Sequence, residues 1–334
     1  MDDATRSRLI DTHNRNLTYL RVSVTDRCNL RCTYCAPSTQ NLTYIPHKEI
    51  LRYEEILRIV RIGVSLGISK VRITGGEPLV RRGIDEFLEE LGKIEGIADI
   101  SLTTNGVLLA EHIRRLKAAG IRRLNISLDT LDPAKYARIT GRDWFEKTRD
   151  GIEAALEAGF FPIKINAVAM RGVNDDELAD LAGLSVDRPL HVRFIEYMPI
   201  GDGRANRSDP LLGPEILERV GTLGPLEPVG RETGDGPAER FRLPGARGEI
   251  GLIRPLSHHF CAHCTRLRLT ASGSLRPCLL SDRHIDVRTR LRRGCLDPDI
   301  VDCFLRAVKF KPMQHHLNDP SPETVRDRMS GIGG

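Results

Sequence analysis

The chain has 334 residues, 40% of them hydrophobic and 28% charged, with a formal net charge of +5. That length suits one large domain or two of ordinary size, and the composition is that of a globular protein, which sets aside disordered and collagen-like classes. No apolar run is long enough to span a bilayer, and the opening Met1-Asp2-Asp3-Ala4-Thr5-Arg6 reads as no secretory signal, so a cytoplasmic protein with no membrane role is expected.

In that compartment eight cysteines point to ligands and spare core thiols, not to a disulfide framework. The positive charge comes from 41 Arg against 9 Lys. Most of it reads as compositional bias. Arginines at strand ends are a separate matter, because the guanidinium fork matches phosphate oxygens.

Short β-branched runs alternate with amphipathic helical stretches along the first two thirds of the chain. Strands are predicted at Tyr19–Thr25, Lys70–Thr74, Asp99–Thr103, Arg122–Leu128, Ile163–Ala169 and His191–Tyr197. Helices are predicted between them at Tyr53–Leu66, Ile84–Ile94, Leu108–Ala118 and Thr148–Ala158; in the third, Leu109, Ile113 and Leu116 recur at helical spacing. Gly120 and Gly159 suit helix ends. Asn174-Asp175-Asp176-Glu177 reads as a helix N-terminus with acids near the dipole, not as a metal site.

Six strand–helix repeats argue for an α/β fold with a parallel sheet, either an open doubly wound sheet or a curved partial barrel, with its site at the C-terminal strand ends. The Gly- and Pro-rich stretch 201–251 reads as boundary and linker, with one helix at Pro214–Val220. From about Glu249 come short strands and helices near Asp286–Arg293 and Asp299–Lys309. Two regions are expected: residues 1–225 and residues 226–334.

The first chemistry-bearing segment is Cys28-Asn29-Leu30-Arg31-Cys32-Thr33-Tyr34-Cys35, spaced C-x3-C-x2-C after a strand. Electron-transfer clusters are ordinarily held by four cysteines. Three in one short loop can hold three corners of a 4Fe–4S cube and leave one iron open to a small molecule. Zinc would want a fourth ligand, and His13 and His47 are irregularly placed for it. Thr74-Gly75-Gly76-Glu77-Pro78 closes the second strand; alone it is an ordinary strand-to-loop turn. The second cysteine set is Cys261-Ala262-His263-Cys264 with Cys278 after thirteen intervening residues. With His258, His259 and His263 nearby, zinc and a cluster are equally compatible with that spacing. Cys295 and Cys303 sit in apolar helical patterns and read as core thiols; His315 and His316 suggest no metal role.

The first triad, with the aromatic Tyr34 before its last cysteine, resembles the radical S-adenosylmethionine (SAM) superfamily, and Thr74–Pro78 is similar to that superfamily's GGEP motif. The block Phe260–Leu269, with Gly273, Leu275 and Cys278-Leu279, resembles the C-terminal motif of the GTP 3′,8-cyclase family of molybdenum-cofactor biosynthesis. Arg21–Cys32, Val71–Leu79, Thr103-Thr104-Asn105-Gly106, Asn125–Asp129 and the terminal Met329–Gly334 extend the likeness over nearly the whole chain. Ala36 departs from the methionine often found there, a change that affects packing beside SAM and leaves ligation intact.

The resemblance implies a partial (β/α)6 barrel with a smaller C-terminal α+β region. It implies two 4Fe–4S clusters, held by Cys28, Cys32 and Cys35 and by Cys261, Cys264 and Cys278. The first would bind SAM and cleave it to methionine and a 5′-deoxyadenosyl radical, with Tyr34, Gly76, Ser127 and Met198 as SAM contacts. The second would bind the guanine of GTP through its open iron.

In the family the radical takes hydrogen from ribose C3′, the C3′ radical attacks guanine C8, and reduction gives 3′,8-cyclo-7,8-dihydro-GTP. By position Arg21, Arg72, Thr103, Lys164, Arg266 and Arg268 match GTP contacts; Lys70 and Arg193 are second-tier candidates. Arg266 and Arg268 share one strand face by period two. The tail of the family enters the active site, which makes Gly333 and Gly334 candidates for a catalytic role that needs small residues.

The implied partners are GTP, an electron donor such as flavodoxin or ferredoxin, and cyclic pyranopterin monophosphate synthase as recipient of the product, in a monomer or homodimer without nucleic acid. Two other readings stand beside it. One is a radical SAM enzyme modifying a peptide or RNA with an auxiliary cluster. The other is a non-catalytic zinc or iron–sulfur protein that binds nucleic acid.

Overall fold

The structure, a computed structural model, describes residues 9–35, 43–198, 200, 209–230, 236–317, 325 and 327–333. Ala36 and Gly334 lie outside the described residues. Its frame is one sheet. The first six strands are β1 (Tyr19–Ser23), β2 (Lys70–Thr74), β3 (Asp99–Thr104), β4 (Arg123–Ser127), β5 (Ile163–Ala169) and β6 (Leu190–Glu196), hydrogen-bonded in chain order and all parallel. They sit within a residue or two of the predicted runs. Alternate residues such as Leu20, Val22, Val71, Ile73, Leu124 and Ile126 are fully buried under the helices, which is the two-sided burial expected of parallel strands.

Helices α1 (Tyr53–Ser65), α2 (Ile84–Gly92), α3 (Leu109–Ala118), α4 (Pro133–Thr140), α5 (Phe145–Glu157) and α6 (Leu178–Asp187) cross back between successive strands. Leu109, Ile113 and Leu116 are the buried face of α3, as their spacing predicts. Cα partners such as Arg21 with Arg72 and Asn125 with Lys164 set the register that places side chains side by side on the inner face.

The C-terminal part does not stand apart from this sheet. It completes both edges. After α7 (Gly213–Val220) come β7 (Glu227–Val229), β8 (Glu239–Arg242) and β9 (Glu249–Ile253), and β9 runs parallel to β6. Next, β10 (Arg266–Leu269) runs parallel to β1, followed by antiparallel β11 (Ser274–Arg276) and β12 (Ile285–Asp286). The order is β12-β11-β10-β1-β2-β3-β4-β5-β6-β9-β8-β7, so eight consecutive strands are parallel and β9 does not meet β10. The sheet is therefore an open, curved partial barrel.

Two expectations are corrected here. Within 201–251, read as linker, Glu227–Val229 and Glu239–Arg242 pair as an antiparallel edge, an edge too short and polar to show a strand pattern in sequence. The helix expected at Asp286–Arg293 shrinks to α8 (Arg288–Arg292), because Ile285–Asp286 is drawn into the sheet. Helix α9 (Asp297–Lys309) packs Phe304 against the outside of α1, and α10 (Met329–Ile332) lies in the tail. Among the described residues no helix is long and apolar enough to cross a membrane.

Candidate active site

A cavity of about 940 Å³ fills the concave side of the sheet. All six cysteines of the two triads line it, as free, half-buried thiols. Tyr34, Gly76, Ser127 and Met198 line it too, and so do Arg21, Arg72, Thr103, Lys164, Arg266 and Arg268, joined by Lys70 and Arg193.

The triads occupy opposite mouths. Cys28–Cys35 follows the C-terminal end of β1, whereas Cys264 immediately precedes β10, whose first residue Arg266 pairs with Tyr19 at the N-terminal end of β1. The site thus runs the depth of the sheet and is not confined to the C-terminal edge expected from parallel α/β folds. From Tyr19 to Ser23 the strand advances roughly 13 Å at ~3.3 Å per residue, room for a nucleotide and a sulfonium ligand between the two mouths.

The first triad is held from several sides. Arg31 and Thr33 donate backbone N–H groups to the Thr140 and Ile139 carbonyls at the end of α4 (2.8 and 2.9 Å). Leu30 N–H points at Cys28 Sγ (3.4 Å), and Asn105 Nδ2 approaches the same sulfur at 3.7 Å. Glu77 holds Asn105 in turn. It is buried, and its carboxylate accepts from Asn105 N (2.7 Å), Thr104 Oγ1 (2.8 Å) and Leu79 N (3.1 Å). Burial pushes Glu77 up to about 7, and those hydrogen bonds oppose the rise.

Gly76 is small because the cysteine loop lies on it: a Cβ there would overlap the Arg27 carbonyl, and Gly76 N–H donates to Thr25 O at 2.7 Å. Tyr34 donates its hydroxyl to Asp129 Oδ2 (2.8 Å), fixing the loop to the end of β4. Burial pushes the Cys28 thiol up to about 12, helped by Glu77, and the Cys35 thiol to about 11. Such thiols give up their protons when a metal takes them.

The second triad has a different electrostatic setting. Cys261 opens a 3-10 turn ending at His263, and Cys278 follows β11 with Leu280 N–H 3.4 Å from its sulfur, the same arrangement as Leu30 on Cys28. Burial would raise the Cys264 thiol, yet the Arg266 and Lys311 charges and hydrogen bonds from Arg266 bring it down to about 6. Among the described residues no group of three His, Cys, Asp or Glu side chains is drawn together as a single metal ion would require. His315 is buried with Nε2 on the Pro255 carbonyl (2.7 Å), and its ring meets that of His259 edge to face.

Between the mouths runs a row of cations. The register sets Arg268, Arg21 and Arg72 side by side on β10, β1 and β2, and Arg266 beside Tyr19 and Lys70 one step lower. Arg21 and Arg268 are buried. Burial and then the repulsion of Arg268 and Arg72 hold the Arg21 guanidinium well below its ordinary value; burial and Arg266 bring Arg268 to about 9. Burial would raise the Tyr19 phenol, yet Arg72, Arg21, Arg266 and Arg268 draw it down. Like charges directly opposite on neighbouring strands are destabilising, so an anion bound along this row would relieve the repulsion. The buried Thr103 Oγ1, Tyr19 hydroxyl, Asn125 Oδ1 and Asn166 Oδ1 have no hydrogen-bond partner among the described residues, as polar groups awaiting a ligand would.

The tail reaches this row. Gly333 has φ +73, and its carbonyl accepts from Arg268 Nη1 at 2.6 Å; a Cβ would stand 2.8 Å from Thr74 Cγ2 and 3.1 Å from Ser23 Cβ. The backbone N–H of Ser330 reaches Cys35. Of the two remaining cysteines, Cys303 is a buried core thiol as expected, while Cys295 is half-buried in the turn before α9.

Tyr19, Asn125 and Asn166 were not predicted. Each lies two residues from a predicted site residue, so the strand alternation that pairs Arg266 with Arg268 would have found them. Asn105 and Asp129 act through loops, and for Lys311, beside Cys264, the sequence gives no comparable signal.

An open parallel sheet with a three-cysteine loop and a GGEP turn at its first two strand ends defines a radical SAM fold. Residues 22–184 match the radical SAM superfamily, and residues 190–317 match the family described as Molybdenum Cofactor Synthesis C. Among solved structures, the fold resembles Streptococcus suis SuiB bound to its precursor peptide SuiA, with a TM-score of 0.60 at 17% identity over 94% of this chain and 76% of that one. That likeness concerns fold alone. The GTP 3′,8-cyclase of Pelotomaculum thermopropionicum is 48% identical over 330 residues, 97% of this chain and 99% of that protein. The GTP 3′,8-cyclase of Petrotoga mobilis is 48% identical over 334 residues, 98% and 100% respectively. The chain belongs to the GTP 3′,8-cyclase family, and family membership brings SAM and a 4Fe–4S cluster with it.

Proposed function

We propose that this chain converts GTP to 3′,8-cyclo-7,8-dihydro-GTP, the first step of molybdenum-cofactor biosynthesis. The observation that carries the reading is the buried arginine row of β10, β1 and β2, facing a cavity closed at each mouth by three free thiols. Cys28, Cys32 and Cys35 would hold the SAM-binding 4Fe–4S cluster, and Cys261, Cys264 and Cys278 a second one, so that residues 1–225 carry the first cluster and residues 226–334 the second. When bound and reduced, the first cluster would supply the one electron that cleaves the C5′–S bond of SAM, leaving methionine and the 5′-deoxyadenosyl radical that takes hydrogen from ribose C3′.

The protein's own residues do the positioning. Arg21, Arg72, Arg266 and Arg268 fix the triphosphate, relieving their mutual repulsion as they do so. Lys164 and Thr103, on β5 and β3, approach the same cavity from the facing strands. Tyr34, Gly76, Ser127 and Met198 border the SAM end. A radical must meet one C–H bond only, and pre-set contacts along the nucleotide provide that selectivity. Gly333 meets the arginine row through Arg268, and a catalytic role is proposed for Gly333 and Gly334.

The electron comes from a flavodoxin- or ferredoxin-type donor, and the product passes to cyclic pyranopterin monophosphate synthase. The setting is the cytoplasm, and the acting unit is a monomer or homodimer that needs no nucleic acid. The test is anaerobic incubation of reduced, reconstituted protein with SAM and each of the four nucleoside triphosphates. GTP alone should yield a cyclised nucleotide with one 5′-deoxyadenosine per turnover. Uncoupled SAM cleavage with every triphosphate would contradict the reading.

A further inference from the structure

Lysine is almost never fully buried unless it is paired. Lys311, just beyond α9, is 4% exposed. Its Nζ lies 2.8 Å from the Arg266 carbonyl, 2.8 Å from the Pro277 carbonyl and 3.5 Å from Cys264 Sγ. An ammonium has three N–H donors, and three acceptors stand around this nitrogen. The two carbonyls belong to the two segments that carry Cys264 and Cys278. Arg15 makes the companion brace, donating to the Cys261 carbonyl (2.7 Å) and to the Pro312 and Met313 carbonyls (2.6 and 3.0 Å), the residues that follow Lys311.

From this geometry we infer that Lys311 is a positioning residue for the second cysteine triad: it ties the Cys264 and Cys278 segments at a fixed spacing and sets its side-chain nitrogen against the Cys264 sulfur. The inference rests on the proposal that this triad holds a 4Fe–4S cluster. At the first triad, Cys28 receives the neutral Leu30 N–H and Asn105 amide, while the Arg328 charge acts on Cys35. Charge and hydrogen bonds at ligand sulfurs raise a cluster's reduction potential, so Lys311 would raise the potential of a cluster held at this triad. Groups that orient ligands in this way are commonly worth 10–100-fold in metal affinity.

The test uses the full chain with Cys28, Cys32 and Cys35 changed to Ala, which leaves one cluster to observe. Lys311→Met, Lys311→Gln and Lys311→Arg are made on it. Three quantities are measured: iron and sulfide per chain, the rate of iron loss to a chelator, and the midpoint potential by redox-titrated electron paramagnetic resonance. Met and Gln should both lose iron about 10–100-fold faster than the parent and shift the midpoint to more negative values, while Arg restores the midpoint by restoring the charge. Gln carries the test if Met does not fold.

An unchanged midpoint in the neutral variants overturns the inference, even where iron is lost faster, because a mere brace would give that pattern. If the parent chain itself binds no iron and sulfide, the second-cluster proposal fails and this inference falls with it. A cluster-bearing parent with indifferent Lys311 variants refutes the inference alone.

Discussion

Arg268→Met should make the nucleotide-free protein more stable and the enzyme worse. Arg268 is 5% exposed, stands across the register from Arg21 and follows Arg266 on the same strand face. Burial and the Arg266 charge bring its guanidinium to about 9. That fall of roughly three and a half pH units corresponds to about 5 kcal/mol at 1.36 kcal/mol each. The folded value of this base is depressed, so the penalty is present in full below about pH 9 and fades only as the pH rises beyond it.

Methionine removes the penalty and refills much of the stem volume. It also strips the Gly333 carbonyl of its 2.6 Å donor, a loss of about 1–3 kcal/mol. The net expectation at neutral pH is a gain of about 2–4 kcal/mol without nucleotide. With GTP the sign reverses, since losing one buried charge-assisted contact weakens binding by about 2–5 kcal/mol, roughly 30- to several-thousand-fold. Thermal unfolding with and without GTP, beside calorimetric titration, reads both. Arg268→Met should melt several degrees higher alone and gain little from GTP, whereas the parent gains markedly. A variant that melts lower alone and binds GTP like the parent would refute the reasoning.

Cys278→Ser should lower iron and sulfide from about eight to about four of each per chain, as loss of one 4Fe–4S cube demands, with SAM binding retained; chemical analysis after reconstitution decides. Gly333→Leu should expel the tail, because its Cβ would press on Thr74 and Ser23 at a positive φ; faster proteolysis at the C-terminus and lost turnover are expected. Glu77 should make cluster-free protein pH-sensitive. Its folded value is raised to about 7, so its stabilising contribution is present in full below the ordinary carboxyl range and is lost as the pH rises through 7. The stability gap between the parent and Glu77→Gln should therefore narrow from pH 5 to pH 7.5 in denaturant titrations, and a constant gap would exclude the effect.

How much of this was legible in sequence depends on how local each signal is. The six core strands announce themselves because both their faces are buried, which concentrates Val, Ile and Leu. The cysteine spacings and GGEP turn sit within single loops, so they are visible without a fold. Helix α4 was missed, although Asp132 caps it by accepting from Ala134 and Lys135 N–H; its eight residues offer too few turns for a period to emerge, yet its last carbonyls hold the first cysteine loop.

The edge strands β7 and β8 are short and exposed, with polar residues where a pattern would need apolar ones. Lys311 meets Cys264 across 47 residues and Arg15 meets Cys261 across 246. Contacts of that kind are created by the way β10 returns beside β1, and no reading of spacing contains them. The same return moves the second triad to the N-terminal mouth, which fold-class reasoning about C-terminal strand ends did not anticipate.

The account turns on one nucleotide lying between the two cysteine triads with its ribose toward SAM. Reconstituted, reduced protein given SAM and GTP deuterated at ribose C3′ tests this most directly. The prediction is deuterium in the 5′-deoxyadenosine and a cyclised product that has lost it. Unlabelled 5′-deoxyadenosine, or GTP recovered intact while SAM is consumed, would contradict it.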